Sequence, residues 1–202
     1  MPKVIYRRYV HEGPHVTPNV FHEHAVYLRY ICAFYDELPV LSLFIHGHRT
    51  SWHNRRAPPV GTQLGSINLG AAAAAGGVFK SFNDVQECWR DGPTMWRAEI
   101  AAQVHGWARN LRPILGAAPE APLIKQSYCC TQFLVSRERI RARPHAFWRA
   151  LLADLIDQRV PEVCKVSGHT LEMVWGYLLG EPADFECRKD GWGAAGQKGV
   201  VG

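Results

Sequence analysis

The sequence predicts an α/β fold, formed by a single domain over residues 1–187 with a mixed sheet flanked by helices. Three observations predict it. A helical segment leads into a short apolar strand at 40–45, a second strand-like segment follows at 128–135, and two amphipathic helical segments come after that strand. A chain of 202 residues is also a suitable length for one hydrophobic core.

The first helix and the first strand are predicted over residues 18–35 and 40–45. Thr17 and Pro18 provide a helix cap and a first helical residue. Apolar side chains then recur at helical spacing, at Phe21, Ala25, Leu28, Cys32 and Tyr35. The strand is apolar apart from Ser42, and such a run is typical of a strand that is covered on both faces.

The middle of the chain gives weaker signals. Residues 57–78 are rich in Pro, Gly and Ala and are predicted to be loop, with a short strand at 66–69 as an alternative. The alanine run at 71–75 favours helix by propensity, but the glycines beside it and the lack of a polar face argue against one. Residues from Thr94 to about 111 show helical spacing and predict a helix.

The second half predicts one strand and two helices. Residues 128–135 have the aromatic and β-branched content of a strand. A helix begins after Pro144, with an apolar stripe formed by Phe147, Leu151, Leu152, Leu155 and Ile156. The last helix is predicted at 168–179 and stops at Gly180, and the Gly-rich tail at 188–202 is predicted to be disordered.

Composition and cysteine usage predict a cytoplasmic protein without a membrane segment. A membrane span needs about 20 consecutive apolar residues, and the apolar run at 40–45 is far shorter. The basic first residues are not followed by the apolar segment of a secretory signal. The six cysteines form no Cys-x-x-Cys pair, so reduced thiols are expected.

A formal charge of +5 fits an acidic partner such as RNA, a nucleotide phosphate or an anionic surface, without requiring one. Much of the excess comes from Arg137, Arg139, Arg141, Arg143 and Arg149. These side chains form either a solvated basic face or a phosphate-contacting patch. Ser136 is expected to cap a helical turn, which leaves Arg137 or Arg139 to bind a phosphate or to pair with Glu138.

A dense polar cluster, which we call the histidine loop, follows the first strand. It comprises His46, His48, Arg49, Trp52, His53 and Asn54. Ligands of open α/β sheets usually bind at the carboxyl ends of strands, so the cluster predicts a functional loop. His46 and His48, joined by His22, Glu23 or His24, offer metal ligands, but neither a His-Glu-x-x-His helix nor paired cysteines are present. No metal and no cofactor are therefore predicted.

Other segments contribute further candidates. Asn19 and Glu23 lie one turn apart on the first helix, where Glu23 faces either the histidine loop or the solvent. Cys130 and Gln132 begin the second strand, and Glu172 on the last helix is either an inward carboxylate or a solvated one. The Rossmann, Walker and nucleophile-elbow motifs are missing, which excludes the commonest NTPase and hydrolase classes.

Several of these segments together form a family pattern. They are Asn19-x-x-x-Glu23, Tyr27-Leu-x-Tyr30, Tyr35-Asp36-x-Leu38-Pro39, Phe44-x-His46-Gly-His48-Arg49-x-Ser51-Trp52-His53-Asn54, Cys129-Cys130-x-Gln132-Phe133-x-Val135-Ser136-Arg137-Glu138 and Leu171-Glu172-x-x-Trp175. In this pattern the chain resembles the mostly fungal domain-of-unknown-function family 3431. The resemblance runs from about residue 5 to about residue 180.

The resemblance implies a GT-A glycosyltransferase-like layout and a relation to fungal arginine-containing cyclodipeptide synthases. Those enzymes are peptidyl transferases that use aminoacyl-tRNA, a partner that suits a basic chain. The resemblance implies catalytic roles for Glu23, His46, His48 and Glu172. It implies substrate-binding roles for Asn19, Arg49, Trp52, His53, Asn54, Cys130, Gln132 and Arg137. Glu23 or Glu172 is then the general base on an amino group, while His46, His48 and Arg49 orient the activated ester.

The chain departs from the family pattern in ways that keep other hypotheses open. Family members carry a strand and an acidic segment before the stretch that begins here at Val4, and the run at 71–77 replaces a segment richer in side chains. An acidic motif of the synthases is only approximated at 83–87. The alternatives are a GT-A-like glycosyltransferase, whose Asp-x-Asp motif is absent, and a non-catalytic binding domain. The sequence predicts no oligomeric state.

Overall fold

The computed structural model of the chain describes seven segments, residues 23–46, 58–83, 88–90, 126–128, 131–157, 161–188 and 191–193. The helices are α1 (His24–Phe34), α2 (Val60–Gly65), α3 (Leu69–Ala75), α4 (Arg137–Arg141), α5 (His145–Asp157) and α6 (Pro161–Leu178). The strands are β1 (Leu41–Phe44), β2 (Phe79–Ser81), β3 (Cys88–Arg90), β4 (Gln126–Tyr128) and β5 (Phe133–Ser136). A 3-10 turn, Tyr35–Glu37, joins α1 to the segment before β1. The helices and strands confirm an α/β fold.

The strands form two antiparallel sheets. The larger has the order β1-β5-β2, and the smaller pairs β3 with β4. Leu41 lies opposite Ser136 and Phe44 lies opposite Phe133 across the β1–β5 pair. Every strand pair in the described segments is antiparallel, so the prediction of a mixed sheet is wrong for this part of the chain. The GT-A layout stays a prediction.

Apolar clusters cover both faces of the three-stranded sheet. On one face, Phe44 and Phe133 pack with aromatic and aliphatic side chains of α1, α5 and α6. On the other face, Leu134 packs with residues of the 60–82 region, and Leu41 and Leu43 lie against that cluster. This arrangement confirms the predicted cover on both faces for β1, because Phe44 enters one cluster while Leu41 and Leu43 lie against the other. Val40 and Ile45, the two ends of the predicted strand at 40–45, lie outside β1 and are 39% and 46% exposed.

Helices α2 and α3 occupy the region that the sequence predicts to be loop, so that prediction is wrong. The Asn68 side chain accepts a hydrogen bond from the Ala71 N–H at 2.9 Å and caps α3. Gly76 ends α3 with a φ of 61°, a backbone conformation that suits glycine. Ala72 is fully buried in the second apolar cluster. The cap, the alanine propensity and this contact together form a helix where composition indicated a loop.

Replacing Asn68 with alanine is expected to lower the free energy of unfolding by about 0.5–2 kcal/mol, because the N–H of Ala71 loses its acceptor at the start of a short helix. Urea denaturation measures the change. Asn68→Asp keeps an acceptor oxygen and is the matched control, with an expected loss below about 0.5 kcal/mol. Equal losses in the two variants would show that the cap contributes nothing.

The segment predicted as one strand at 128–135 is divided between two sheets, because Tyr128 ends β4 and β5 begins only at Phe133, so that prediction is wrong. The elements after β5 follow the sequence closely. The Ser136 hydroxyl accepts from the Arg139 N–H and caps α4 as predicted. Helix α5 begins directly after Pro144, and Leu151 and Leu155 on its predicted stripe are fully buried. Helix α6 begins seven residues earlier than the predicted boundary at 168 but ends before Gly180, whose φ of 92° confirms the predicted stop.

The arginines of the 137–143 run are used inside the fold. Arg139 pairs with Glu181 at 2.6 Å, and Arg141 and Arg143 donate to backbone carbonyls of residues 35–36 and 177–178. Arg139 therefore has a different partner from the Glu138 or phosphate that the sequence suggests. These guanidinium groups bind backbone carbonyls near the ends of helices. This role explains the concentration of arginines at 137–143 better than a fully solvated face does.

Residues 191–193 continue the larger sheet beyond β2. Trp192 bridges to Lys80, the Ser81 N–H donates to the Gly191 carbonyl at 2.7 Å, and Trp192 is only 3% exposed. This part of the Gly-rich tail is thus ordered, contrary to prediction, because the Trp192 side chain completes the second apolar cluster. The rest of the predicted disordered tail beyond 193, like the helix predicted after Thr94, lies outside the described residues.

The cysteines differ from the expectation of reduced thiols at one position. Cys187 is disulfide-bonded, so the prediction is wrong there. Cys32 is a free thiol, and burial raises its pKa to about 11. Disulfides persist mainly in oxidising compartments, and the cytoplasmic location stays a prediction. Within the described segments, none of the helices has the length and apolar character needed to cross a membrane.

Candidate functional site

Glu23 lies at the start of α1 and has two side-chain partners from other parts of the chain. The Thr131 hydroxyl donates to its Oε1 at 2.6 Å. His46 Nε2 lies 3.0 Å from the same oxygen. Both contacts are partly or largely shielded from solvent, since Glu23 and His46 side chains are 19% and 13% exposed. A carboxylate and an imidazole in this arrangement form a hydrogen-bonded pair of the kind that supports proton transfer.

The antiparallel register explains how His46 reaches this position. Phe44 pairs with Phe133, so the chain beyond β1 runs alongside the residues that precede β5. The His46 N–H donates to the Gln132 Oε1 at 3.4 Å, and Gln132 Nε2 donates to Asn83 Oδ1 at 3.2 Å. Asn83 follows β2, so the same edge of the sheet collects polar side chains from all three strands.

Thr131 holds an unusual backbone conformation between β4 and β5. Its φ is 40°, and it is the one non-glycine residue in the described segments with a positive φ. The Tyr27 hydroxyl donates to its carbonyl at 3.2 Å, and its own hydroxyl donates to Glu23. Such a conformation costs a β-branched residue of the order of 1–3 kcal/mol, and strain of this kind is concentrated at functional sites.

The surroundings of Glu23 favour its ionised form. Burial by itself raises the pKa of this carboxyl, but the hydrogen bond with His46, the electrostatic attraction of the His24 and His46 rings and the Thr131 hydroxyl outweigh it and hold the pKa well below its usual range. An ionised carboxylate only accepts hydrogen bonds, so His46 Nε2 carries a proton in this contact. In neutral His46 the lone pair is therefore on Nδ1.

The Glu23 pair is expected to make stability depend on pH. Because the folded pKa is lowered, the stabilisation is fully present above the ordinary value of 4.5 and is lost as the pH falls through the folded value. Wild type should exceed Glu23→Gln in free energy of unfolding by about 1–3 kcal/mol at pH 6, with a difference that shrinks below about pH 4.5. Urea denaturation from pH 7 to 3 measures this.

Thr131→Val is the companion variant for this titration. It removes one hydrogen bond to Glu23 and leaves His46 in place. The difference between Thr131→Val and its Glu23→Gln double variant should therefore be smaller than the difference in the wild-type background. A wild-type advantage that stays constant or grows as the pH falls would contradict a lowered Glu23 pKa.

A cavity of about 420 Å³, counted with its open mouth, lies beside this network. It is bounded by strand ends, by one face of α6 and by the segment that follows α6. Polar and aromatic side chains line it, among them Asn83, Tyr128, Thr131, Gln132, Glu172 and Trp175. A concave site with a few polar groups is the usual form of a ligand pocket.

Glu172, which lines the cavity, lies near Glu23 and His24. One ligand atom from each of these three residues lies within 4.8 Å of the other two. His24 is fully buried, and the Trp175 indole N–H donates to its Nδ1 at 2.9 Å. Two carboxylates and an imidazole are residue types that bind divalent metals, so the proton positions decide whether this cluster can do so.

The structure brings four of the predicted site residues together. Glu23 contacts His46, the His46 backbone contacts Gln132, and Glu172 lies near Glu23. Arg137 is separate: it follows β5, five residues after Gln132 or about 16 Å along an extended chain, and it donates to the Leu38 carbonyl. The other predicted residues lie outside the described segments, namely Asn19, His48, Arg49, Trp52, His53, Asn54 and Cys130.

Sequence reasoning missed the site roles of Thr131 and Trp175 and considered His24 only as one of several metal ligands. Thr131 stands between Cys130 and Gln132 of the family pattern, and Trp175 ends its last segment. Their places within the family pattern are the sequence signal for both residues. The pairing of His24 with Trp175 had no sequence signal, since the two residues are 151 positions apart.

Comparison with known proteins gives a family and no activity. No protein with a curated function and no solved structure matches the chain significantly. One family model, described as "Protein of unknown function (DUF3431)", matches residues 1–191. This match spans nearly all of the 202 residues. The chain therefore belongs to the domain-of-unknown-function family 3431.

Proposed function

We propose that this chain is a transferase of the cyclodipeptide-synthase type of fungal secondary metabolism, which takes its aminoacyl groups from aminoacyl-tRNA. The partly buried Glu23–His46 pair beside a cavity lined by Glu172 carries the proposal. The resemblance of the family to the arginine-containing synthases supplies the reaction class. A net charge of +5 suits a tRNA partner, although Arg137, Arg139, Arg141 and Arg143 already bind groups within the fold.

Each step of the proposed reaction needs a base for the attacking amine and a proton for the leaving ribose oxygen. The amino nitrogen of one aminoacyl group attacks the ester carbonyl of the second, and a base removes the proton from the attacking nitrogen. The new C–N bond forms as the C–O bond to the tRNA ribose breaks, and the ribose oxygen takes up a proton. A second attack of the same kind closes the ring and releases the second tRNA.

We assign the role of base to His46 rather than to Glu23. A carboxylate with a strongly lowered pKa is a weak base, and Glu23 already accepts from Thr131 and His46. It orients His46 and stabilises the positive charge that forms when Nδ1 takes a proton, as the carboxylate does in a catalytic triad. Glu172, on the cavity wall, attracts the amino group of the bound aminoacyl residue.

Metal-dependent glycosyl transfer is the rival hypothesis and has less support. The Asp-x-Asp motif that holds the metal and the nucleotide sugar in that class is absent from the sequence. The GT-A layout that the resemblance implies would fit either reaction, so it does not separate them. A nucleotide sugar that bound only in the presence of Mn²⁺ would favour glycosyl transfer.

Product analysis tests the proposal. The full chain is incubated with arginyl-tRNA and a second charged tRNA, and cyclic dipeptides are measured by mass spectrometry, with deacylated tRNAs as the blank. We expect a cyclic dipeptide from the wild type and none from the blank. Absence of any cyclic dipeptide, under conditions where a related synthase is active, would reject the proposal.

A further inference from the structure

We infer that the Trp175 indole closes the Glu23, His24 and Glu172 cluster to metal ions by fixing the proton of His24 on Nε2. The cluster has metal-binding residue types at metal-binding separations, with its ligand atoms within 4.8 Å of one another. The proton positions prevent that use. His24 is then a neutral positioning residue of the site.

The chemistry of the two rings determines where the His24 proton lies. An indole N–H is a hydrogen-bond donor and never an acceptor. At 2.9 Å from His24 Nδ1 it therefore occupies the lone pair of that nitrogen. A neutral imidazole has one N–H and one lone pair, so the proton is on Nε2. Whichever ring nitrogen faces the carboxylates, neither offers a lone pair to a metal ion.

Metal sites have the opposite arrangement around a histidine. A ligating imidazole binds the ion through one nitrogen and donates the N–H of the other to a carboxylate or a carbonyl oxygen. Here the group beside Nδ1 is a donor where an acceptor is required. Binding of an ion through Nε2 would break the Trp175 hydrogen bond and leave two N–H groups facing each other.

Packing prevents either ring from turning to relieve this conflict. His24 is fully buried and Trp175 is 2% exposed. The Trp175 ring lies against the rings of Phe133 and Trp148, with centroid distances of 5.6 and 6.3 Å. A flip of the His24 ring would place a carbon opposite the indole N–H and lose the hydrogen bond. Both orientations are therefore fixed by the apolar core around them.

The inference rests on the proposed function only for the view that this cluster is part of the catalytic site. With His24 neutral and no metal bound, the Glu172 side chain at the cavity wall lies near the Glu23 carboxylate and an N–H-bearing ring. Such a site suits an amino group better than it suits a phosphate or a sugar diphosphate, because it provides no cation to neutralise them. Proton positions and metal binding are measured without turnover, so these measurements succeed or fail independently of the proposed function.

The first test uses the unmodified chain. Protein labelled with ¹⁵N at histidine is examined by two-dimensional NMR at neutral pH, and His24 is assigned by comparison with His24→Gln. The expected pattern is that of the Nε2–H form, with Nδ1 unprotonated. The Nδ1–H form, or a doubly protonated ring, would overturn the inference without any need for a core substitution.

The second test measures metal binding in a variant. In Trp175→Phe the donor to Nδ1 is lost, the proton can move to Nδ1, and Nε2 becomes available to an ion. Apparent affinity for Co²⁺, followed by its visible absorption, should rise about 10–100-fold over wild type, the usual effect of a group next to the metal ligands. Addition of Glu172→Gln to that variant should abolish the gain.

Trp148→Phe is the matched control, since Trp148 is also fully buried and donates its indole N–H to the Ile140 carbonyl, away from His24. It should bind Co²⁺ no better than wild type. Binding of one Co²⁺ by wild type as tightly as by Trp175→Phe, with loss of that binding in Glu172→Gln, would overturn the inference, and so would a folded Trp175→Phe without improved binding. If Trp175→Phe does not fold, the NMR result on wild type decides.

Discussion

Replacing His46 with alanine is expected to lower the rate of aminoacyl transfer by about 10²–10⁴-fold, the usual contribution of a positioned general base. Glu23 holds the ring through Nε2, and Nδ1 is the nitrogen that we propose takes the proton of the substrate amine. His46 lies beyond β1, outside the apolar clusters, so the fold should survive the substitution. Single-turnover assays with charged tRNA measure the rate, and urea denaturation checks the fold.

Two further variants distinguish the catalytic role from a general loss of histidine. His145→Ala removes a ring that stacks on Tyr35 at 4.6 Å and contacts the Cys32 carbonyl, at the other end of α1 from Glu23. It should keep nearly the full rate. His46→Gln can still donate to Glu23 but has no nitrogen lone pair, and it should be as slow as His46→Ala. Near-normal turnover by His46→Gln would show that His46 is structural.

The parts of the fold that the sequence predicted have local signals. Proline before α5, serine before α4 and glycine after α6 each act within one helical turn, and the apolar run of β1 needs only its own residues to be recognised. The strands' antiparallel order could not be predicted, because it depends on which segments meet. Helix α3 was missed because Asn68 and the burial of Ala72 outweigh the glycines around them.

The residues of the candidate site also divide into those with a local sequence signal and those that depend on contacts between distant segments. The rule that polar residues follow strand ends led to His46, and the family pattern added Glu23, Gln132 and Glu172. The conformation of Thr131 could not be read from the sequence, since a φ of 40° is unusual for threonine. The role of His24 depends on an indole 151 residues away. Each missed feature arises from a contact between distant segments.

Replacing Arg139 with methionine is expected to lower the free energy of unfolding by about 3–5 kcal/mol, a large part of the total for a domain. Its Nη1 lies 2.6 Å from Glu181 Oε1, and the Glu181 side chain is 1% exposed. The guanidinium also donates to the carbonyls of Gly77 and Leu179. Methionine fills similar space but leaves a buried carboxylate and two carbonyls without this donor, and urea denaturation measures the cost.

A double variant and a surface control separate charge burial from loss of packing. In Arg139→Met with Glu181→Met the unmatched carboxylate is gone, so most of the loss should be recovered, although the two carbonyls keep the recovery incomplete. Arg141→Met removes an exposed arginine of the same helix, whose guanidinium donates to the Tyr35 and Asp36 carbonyls, and should cost less than about 1.5 kcal/mol. If Arg139→Met cost no more than Arg141→Met, the buried pair would not stabilise the junction between α4 and the end of α6. A double variant as unstable as the single one would assign the loss to the carbonyls instead, because only they lack a partner in both.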